Sequence, residues 1–282
     1  MLRMVVGLFL ALILVGTPAL AKDGSSKTKA ESELVDILIH RDMDKETRFV
    51  INNTLFTIYH EVGHLLVDQL DWPVLSREED VADNFATYIL LNQSRRAIET
   101  ALKDSALGWR LEDEIYGGAR RQVSDYYDEH SLDLQRAYQI VCLMVGKDRG
   151  TFHATAREWG IDRARESRCA DDYAQIAHSF QKLIDPHARK TVPIQVDVNY
   201  GYAEDEFELA YKTLRQSRLL ESLAEDLREG YGLTRRIEIN AQQCGEPNAF
   251  YDENEVQIIV CYELLDDFFY MINKHLAAAN DN

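Results

Sequence analysis

Positive charge is scarce in this chain: 31 Lys and Arg stand against 48 Asp and Glu, a formal charge of −17. Affinity for nucleic acid comes mainly from clustered Lys and Arg, so that balance argues against a phosphate-backbone partner. It argues equally against adhesion to an anionic membrane surface. Proline and glycine are few, 5 and 14 residues, which excludes a collagen-like or low-complexity chain. The four cysteines form no CxxC pair, so a thiolate metal site is not expected. Long apolar runs are also missing. The longest, Met4–Gly16, has thirteen residues, short of the roughly 20 that cross a bilayer. What is present is a 46% hydrophobic composition over 282 residues, enough to bury a real core.

The apolar run reads instead as the centre of a secretory signal peptide over residues 1–21. Arg3 precedes it and Ala19-Leu20-Ala21 supplies a small-x-small cleavage site. An exported chain, periplasmic or secreted, with no stable membrane anchor after cleavage, is the expectation. Export makes the cysteines informative, because disulfides persist in oxidising compartments. They fall into two groups, Cys142 with Cys169 and Cys244 with Cys261. Of the three connectivities, pairing within each group is the simplest; four free buried thiols is the alternative.

Residues 22–44 read as a linker or short pro-segment, and 45–282 as the folded domain, with a helical part over 45–190 and a strand-containing part over 191–282. Within 46–70, Ile51, Leu55, Ile58, Val62 and Leu66 recur at helical spacing as one buried stripe. Further helices are expected over 76–101, 131–144 and 170–184, the last stopped by Asp185-Pro186. After residue 190 the pattern becomes strand (192–200), helix (206–229), strand (236–240), strand (256–262) and helix (263–279). The fold class is therefore α+β, with a helical N-terminal part followed by a β-α-β-β-α unit.

One segment of the first helix carries chemistry: His60-Glu61-Val62-Gly63-His64. Histidines four apart lie on one helix face, so both imidazoles can reach a single ion, and the glutamate beside the first can take a proton from a water there. The stripe places the pair off the core face. Gly63 is a poor interior helix residue and is tolerable if another segment approaches closely. A hydrolytic zinc site takes three protein ligands and a water. Glu79, in Glu78-Glu79-Asp80-Val81-Ala82-Asp83, is the expected third, with Glu78 as its substitute if the helix is rotated. The competing reading is a capping box, in which Glu79 bonds back to Ser76 and Asp83 is an ordinary first-turn acid. An oxyanion needs a further donor. By residue type His130 is the best candidate, with Tyr127 and Tyr251 behind it. His40, His153, His178, His187 and His275 have no partner at ligand spacing and read as structural or surface residues.

HEVGH followed by EEDVADNFA resembles the gluzincin metallopeptidases, whose pattern is HExxH and then ExxxD on the next helix. The wider stretches NNTLFTIYHEVGHLLVDQLDWPVLSREEDVADNFATYIL, DEHSLDLQRAYQIVCLMVGKD and CGEPNAFYDENEVQIIVCYELL are similar to a poorly characterised bacterial family of exported metallopeptidases. The resemblance implies one Zn²⁺ held by His60, His64 and Glu79, Glu61 as general base, and Asp83 orienting a ligand histidine. It implies a zincin-like fold. Gluzincins place their sheet before the zinc helix, whereas here the strands come last, as in a permuted chain. Val256–Cys261 would then be the edge strand along which an extended peptide pairs.

The expected activity is peptide-bond hydrolysis through a zinc-activated water, on a peptide or protein substrate. Two rivals stay open: a catalytically silent secreted scaffold with structural zinc, and a metal-dependent amidase acting on cell-wall peptides.

Overall fold

Asp44 opens the first helix by accepting the backbone N–H of Thr47 at 2.7 Å, a side-chain cap that satisfies a free donor. The computed structural model describes residues 43–93, 96–118, 121–188 and 194–280. The predicted signal peptide and nearly all of the predicted linker lie outside these residues.

Helix α1 (Lys45–Gln69) is the axis of the molecule. From Phe49 to Gly63 every residue except Thr57 is buried, so the expected one-sided stripe is a helix enclosed all round. The polar residues on the other faces are not left open. Asn52 Nδ2 donates to Asp104 Oδ2 at 2.7 Å, Asn53 Nδ2 to Phe49 O at 2.9 Å, and Thr54 Oγ1 to Val50 O at 2.8 Å. Each thereby avoids the 1–3 kcal/mol or so that an unpaired buried polar group costs. This pairing is why sequence periodicity understated the burial of α1.

Helix α2 (Glu78–Asn92) runs antiparallel along α1, and α3 (Arg96–Ile115) packs on another side. The single helix expected over 76–101 is thus two, with α2 capped at Gln93. Three more helices follow: α4 (Asp133–Lys147), α5 (Arg149–Glu158) and α6 (Arg163–Ala188). Cys142–Cys169 joins α4 to α6. Helix α6 continues past the expected stop at Asp185 and carries Pro186 in its last turn, forgoing the one backbone bond that its missing N–H would have made. Trp72, Phe85 and Phe180 bury a ring cluster between α1, α2 and α6.

The sheet has four strands, one more than the sequence pattern shows: β1 (Val196–Tyr200), β2 (Ile237–Gln242), β3 (Ala249–Asp252) and β4 (Gln257–Cys261). Their order is β1-β2-β4-β3. β1 and β2 are parallel with Val196 opposite Ile237; β2 and β4 are parallel with Ile239 opposite Ile258. β3 is antiparallel to β4, with Tyr251 opposite Ile258. This corrects the edge-strand expectation. β4 is interior, flanked by β2 and β3, and its Ile258–Cys261 run is buried on both faces, as interior strands are. The free edge on that side belongs to β3, a four-residue strand too short to show alternation.

Between β1 and β2 the expected single helix is two, α7 (Glu208–Ser217) and α8 (Leu219–Gly230), divided at Arg218 in the left-handed conformation (φ 55°). The terminal helix α9 (Tyr262–Asn280) packs on α1 and α3. Cys244–Cys261 ties the loop before β3 to the end of β4. The chain is mixed α+β, mostly helical, and one hydrophobic cluster runs from α1 through the sheet to α9. Among the described residues no helix is long and apolar enough to cross a membrane.

Candidate metal centre

His60 and His64 stand one turn apart on α1, with ring centroids 4.9 Å apart and Nε2 atoms 3.1 Å apart. Glu79, in the first turn of α2, brings Oε2 to 3.1 Å from His60 Nε2 and 3.4 Å from His64 Nε2. Three donors held about 2.0–2.1 Å from one ion at tetrahedral angles lie about 3.3–3.4 Å apart. The observed spacings of 3.1 to 3.4 Å fit that requirement, and the donor set (two imidazoles and a carboxylate) fits a hydrolytic zinc site. The residues present therefore suit the ion that the sequence pattern implies.

Closeness of the two helices makes the convergence possible. At Gly63 an added Cβ would meet Ala82 Cα at 2.7 Å, so only glycine lets α2 lie this near to α1. This is the close approach that excuses a glycine in mid-helix. The capping alternative for Glu79 is not what the structure holds. Arg77 is the N-cap and no side chain caps α2, while the Glu79 carboxylate turns to the histidines.

Both rings are held from behind. His60 Nδ1 lies 2.8 Å from Asp83 Oδ1, and His64 Nδ1 lies 2.8 Å from Glu78 Oε1. Carboxylates on Nδ1 fix the tautomer that leaves Nε2 facing an ion. Glu78 is thus a partner of His64, not a substitute for Glu79. Asp83 is gripped in turn by Arg136, whose Nε and Nη2 donate at 2.7 and 2.8 Å. The Arg136 guanidinium also stacks 3.5 Å from the centre of the Trp109 ring.

The electrostatics follow this wiring. Burial alone would raise Glu79, but hydrogen bonds from His130, His60 and His64 hold it well below the usual carboxylate range. Burial would likewise raise Asp83, and Arg136 with His60 holds it down. Burial disfavours charge on His60, yet Asp83 and Glu79 outweigh it and push the imidazole up to about 9. Glu61 is 5% exposed. Its burial raises it above the ordinary carboxylate value, opposed by His60, His64 and the backbone N–H of Tyr251.

His130 reaches the same place from the loop before α4. Arg77 Nη1 donates to His130 O at 2.9 Å, and Ser131 Oγ to Asp80 Oδ1 at 2.7 Å, which pins the loop to the start of α2. His130 Nε2 then lies 3.0 Å from Glu79 Oε2. Neither tyrosine offers its hydroxyl here. Tyr127 is 77% exposed beyond a short 3₁₀ turn, and the Tyr251 hydroxyl donates to Asp68 at 2.6 Å. Tyr251 instead contributes its main-chain N–H, to Glu61. Cys244, Cys261 and Glu263 also lie close together, but both thiols are consumed in the disulfide. Glu263 is occupied by the backbone N–H groups of Cys244 and Gly245 at 2.7 to 3.1 Å.

Arg136 was not legible as a site residue. The available signal was an arginine on the same face as Ala137 and Ile140, an apolar side of α4 where a charge needs a partner.

Two histidines of an HExxH helix converging with a glutamate of the next helix form the arrangement of a metallopeptidase. Residues 22–184 and 201–282 match the family DUF4344, described as "Putative metallopeptidase". The chain belongs to that family. No curated protein and no solved structure matches it.

Proposed function

We propose that the protein is an exported zinc-dependent endopeptidase with a zincin-like fold of permuted strand order. The observation that carries this reading is the convergence of His60 Nε2, His64 Nε2 and Glu79 Oε2 within 3.4 Å, with buried Glu61 on the same helix. One Zn²⁺ held by these three residues would supply Lewis acidity toward a scissile carbonyl and a water of pKa near 7. Glu61 takes the proton of the attacking water and delivers it to the leaving amine. Its raised pKa suits both transfers, since a base nearer neutrality returns a proton more readily. Asp83, held ionised by Arg136, fixes His60. His130, which is itself raised through its bond to Glu79, is the donor for the developing oxyanion. The edge of β3, beside Glu61, takes an extended substrate as an added strand. The two disulfides suit the oxidising compartment this reading requires.

The test is metal analysis of the purified protein followed by a casein digest with and without chelator. About one zinc per chain and chelator-sensitive cleavage are expected. If the chelator lowers the melting temperature while no peptide or protein is ever cut, the silent scaffold replaces the peptidase.

A further inference from the structure

Beside Glu61, helices α1, α3 and α9 and the start of β3 enclose a cavity of about 200 Å³. Sites for whole small molecules run to roughly 300–1,000 Å³. This space is on the scale of one amino-acid side chain. Phe56, Trp109, Leu264 and Phe268 give it apolar walls, Glu112 of α3 and Asp267 of α9 add two carboxyl groups, and His60, His130 and Arg136 of the metal centre also line it.

Among the described residues neither acid is paired with a cation at salt-bridge distance. The Tyr116 hydroxyl donates to Asp267, and among the described residues no hydrogen-bond donor reaches the Glu112 carboxyl group. Arg136 is the cation that acts on Glu112, and its Nε and Nη2 are already committed to Asp83. Burial, with the charges of Asp267 and Asp133, pushes Glu112 up to about 7. Burial and Asp266 raise Asp267 against the pull of Tyr116. Apolar walls around uncompensated acids complement a long aliphatic stem ending in a cation. A neutral side chain leaves the acids unpaired, and an acidic one adds repulsion.

We propose that this cavity seats the side chain of a lysine or arginine flanking the scissile bond, with Glu112 and Asp267 as its anionic partners. The inference rests on the peptidase reading and names its substrate class.

The test compares peptides that differ only in lysine or norleucine beside the cut, together with an unbiased peptide library, using the zinc-loaded protein. Library cuts flanked on one side by Lys or Arg are expected. Glu112→Gln should lower the lysine-to-norleucine ratio of kcat/KM about 30-fold, the effect of losing one partner of a buried charge pair. Cuts without basic flanks, or a ratio that Glu112→Gln does not move, overturn the proposal and leave the peptidase reading in place. A second readout needs no turnover. Binding of n-butylguanidinium to the metal-free protein, followed by NMR at the Trp109 indole, should weaken about tenfold or more in Glu112→Gln. Binding no tighter than that of n-butanol overturns the proposal. If n-butylguanidinium binds as expected but no library peptide is cut, the cavity assignment holds and the peptidase reading fails.

Discussion

Gly63→Ala perturbs the contact on which the site depends. The new Cβ would stand 2.7 Å from Ala82 Cα and 3.0 Å from Ala82 Cβ. Carbon atoms pack at about 3.5–4.0 Å, so α1 and α2 must part by about 1 Å. The obstacle is backbone, and no rotamer change relieves it. Glu79 and Asp83 sit on either side of Ala82 along α2, so the separation passes into histidine–carboxylate distances that are now 2.8 to 3.4 Å. Metal-site distances tolerate only about 0.2 Å. Stability changes less, because overpacking costs about 1–3 kcal/mol and replacing a helical glycine by alanine recovers about 1 kcal/mol. The expected result is a loss of zinc affinity of about 10–100-fold or more with a net destabilisation of about 0–2 kcal/mol. Competitive zinc titration against a chelating dye and thermal unfolding of the metal-free protein measure the two. Adding Ala82→Gly should not rescue the affinity, since the Cα obstacle remains. Wild-type zinc affinity in Gly63→Ala would refute the claim that helix proximity sets the ligand geometry.

Three further outcomes follow from the site's charges. His60 is pushed up to about 9 and must be neutral to ligate, so zinc binding at pH 7 should release at least one proton, with affinity rising toward pH 9 and then levelling; titration calorimetry in buffers of different ionisation enthalpy reads the release, and its absence would contradict the assignment. By the same linkage, the contribution of His60 to the stability of the metal-free protein is present below its ordinary pKa and lost as pH rises through about 9. Arg136→Met leaves Asp83 buried without its cation and should cost about 3–5 kcal/mol in urea unfolding; a loss below about 1 kcal/mol would mean that the Arg136–Asp83 pair is not what holds Asp83 ionised.

The parts of the site that were legible in the sequence are those whose geometry is local. A spacing of four on a helix places His60 above His64 whatever the rest of the chain does, and the same spacing relates Glu79 to Asp83. What could not be read depends on which elements meet. Arg136 and Glu112 lie on α4 and α3, far along the chain from His60, and nothing in their neighbourhoods marks them. His130 was a candidate by residue type alone, and the contacts of Arg77 and Ser131 that position it are tertiary. The fold shows the same division. Most helices and strands follow periodicity, but α5 and the part of α3 beyond residue 101 were not expected, the helix divisions at Gln93 and Arg218 leave little trace in composition, and β3 escaped because Ala249–Asp252 is short and does not alternate. That omission also misassigned the edge strand, since the hairpin that adds β3 is what places β4 inside the sheet.

The most direct measurement compares wild-type protein and Glu61→Gln at equal zinc content on an unstructured protein substrate. The Glu61 carboxylate is not among the three converging donors, so both proteins should hold about one zinc, and the variant's kcat should fall about 100-fold or more, the effect of losing a general base. Equal cleavage by the two proteins would contradict the assignment of Glu61, and with it the proposed reaction.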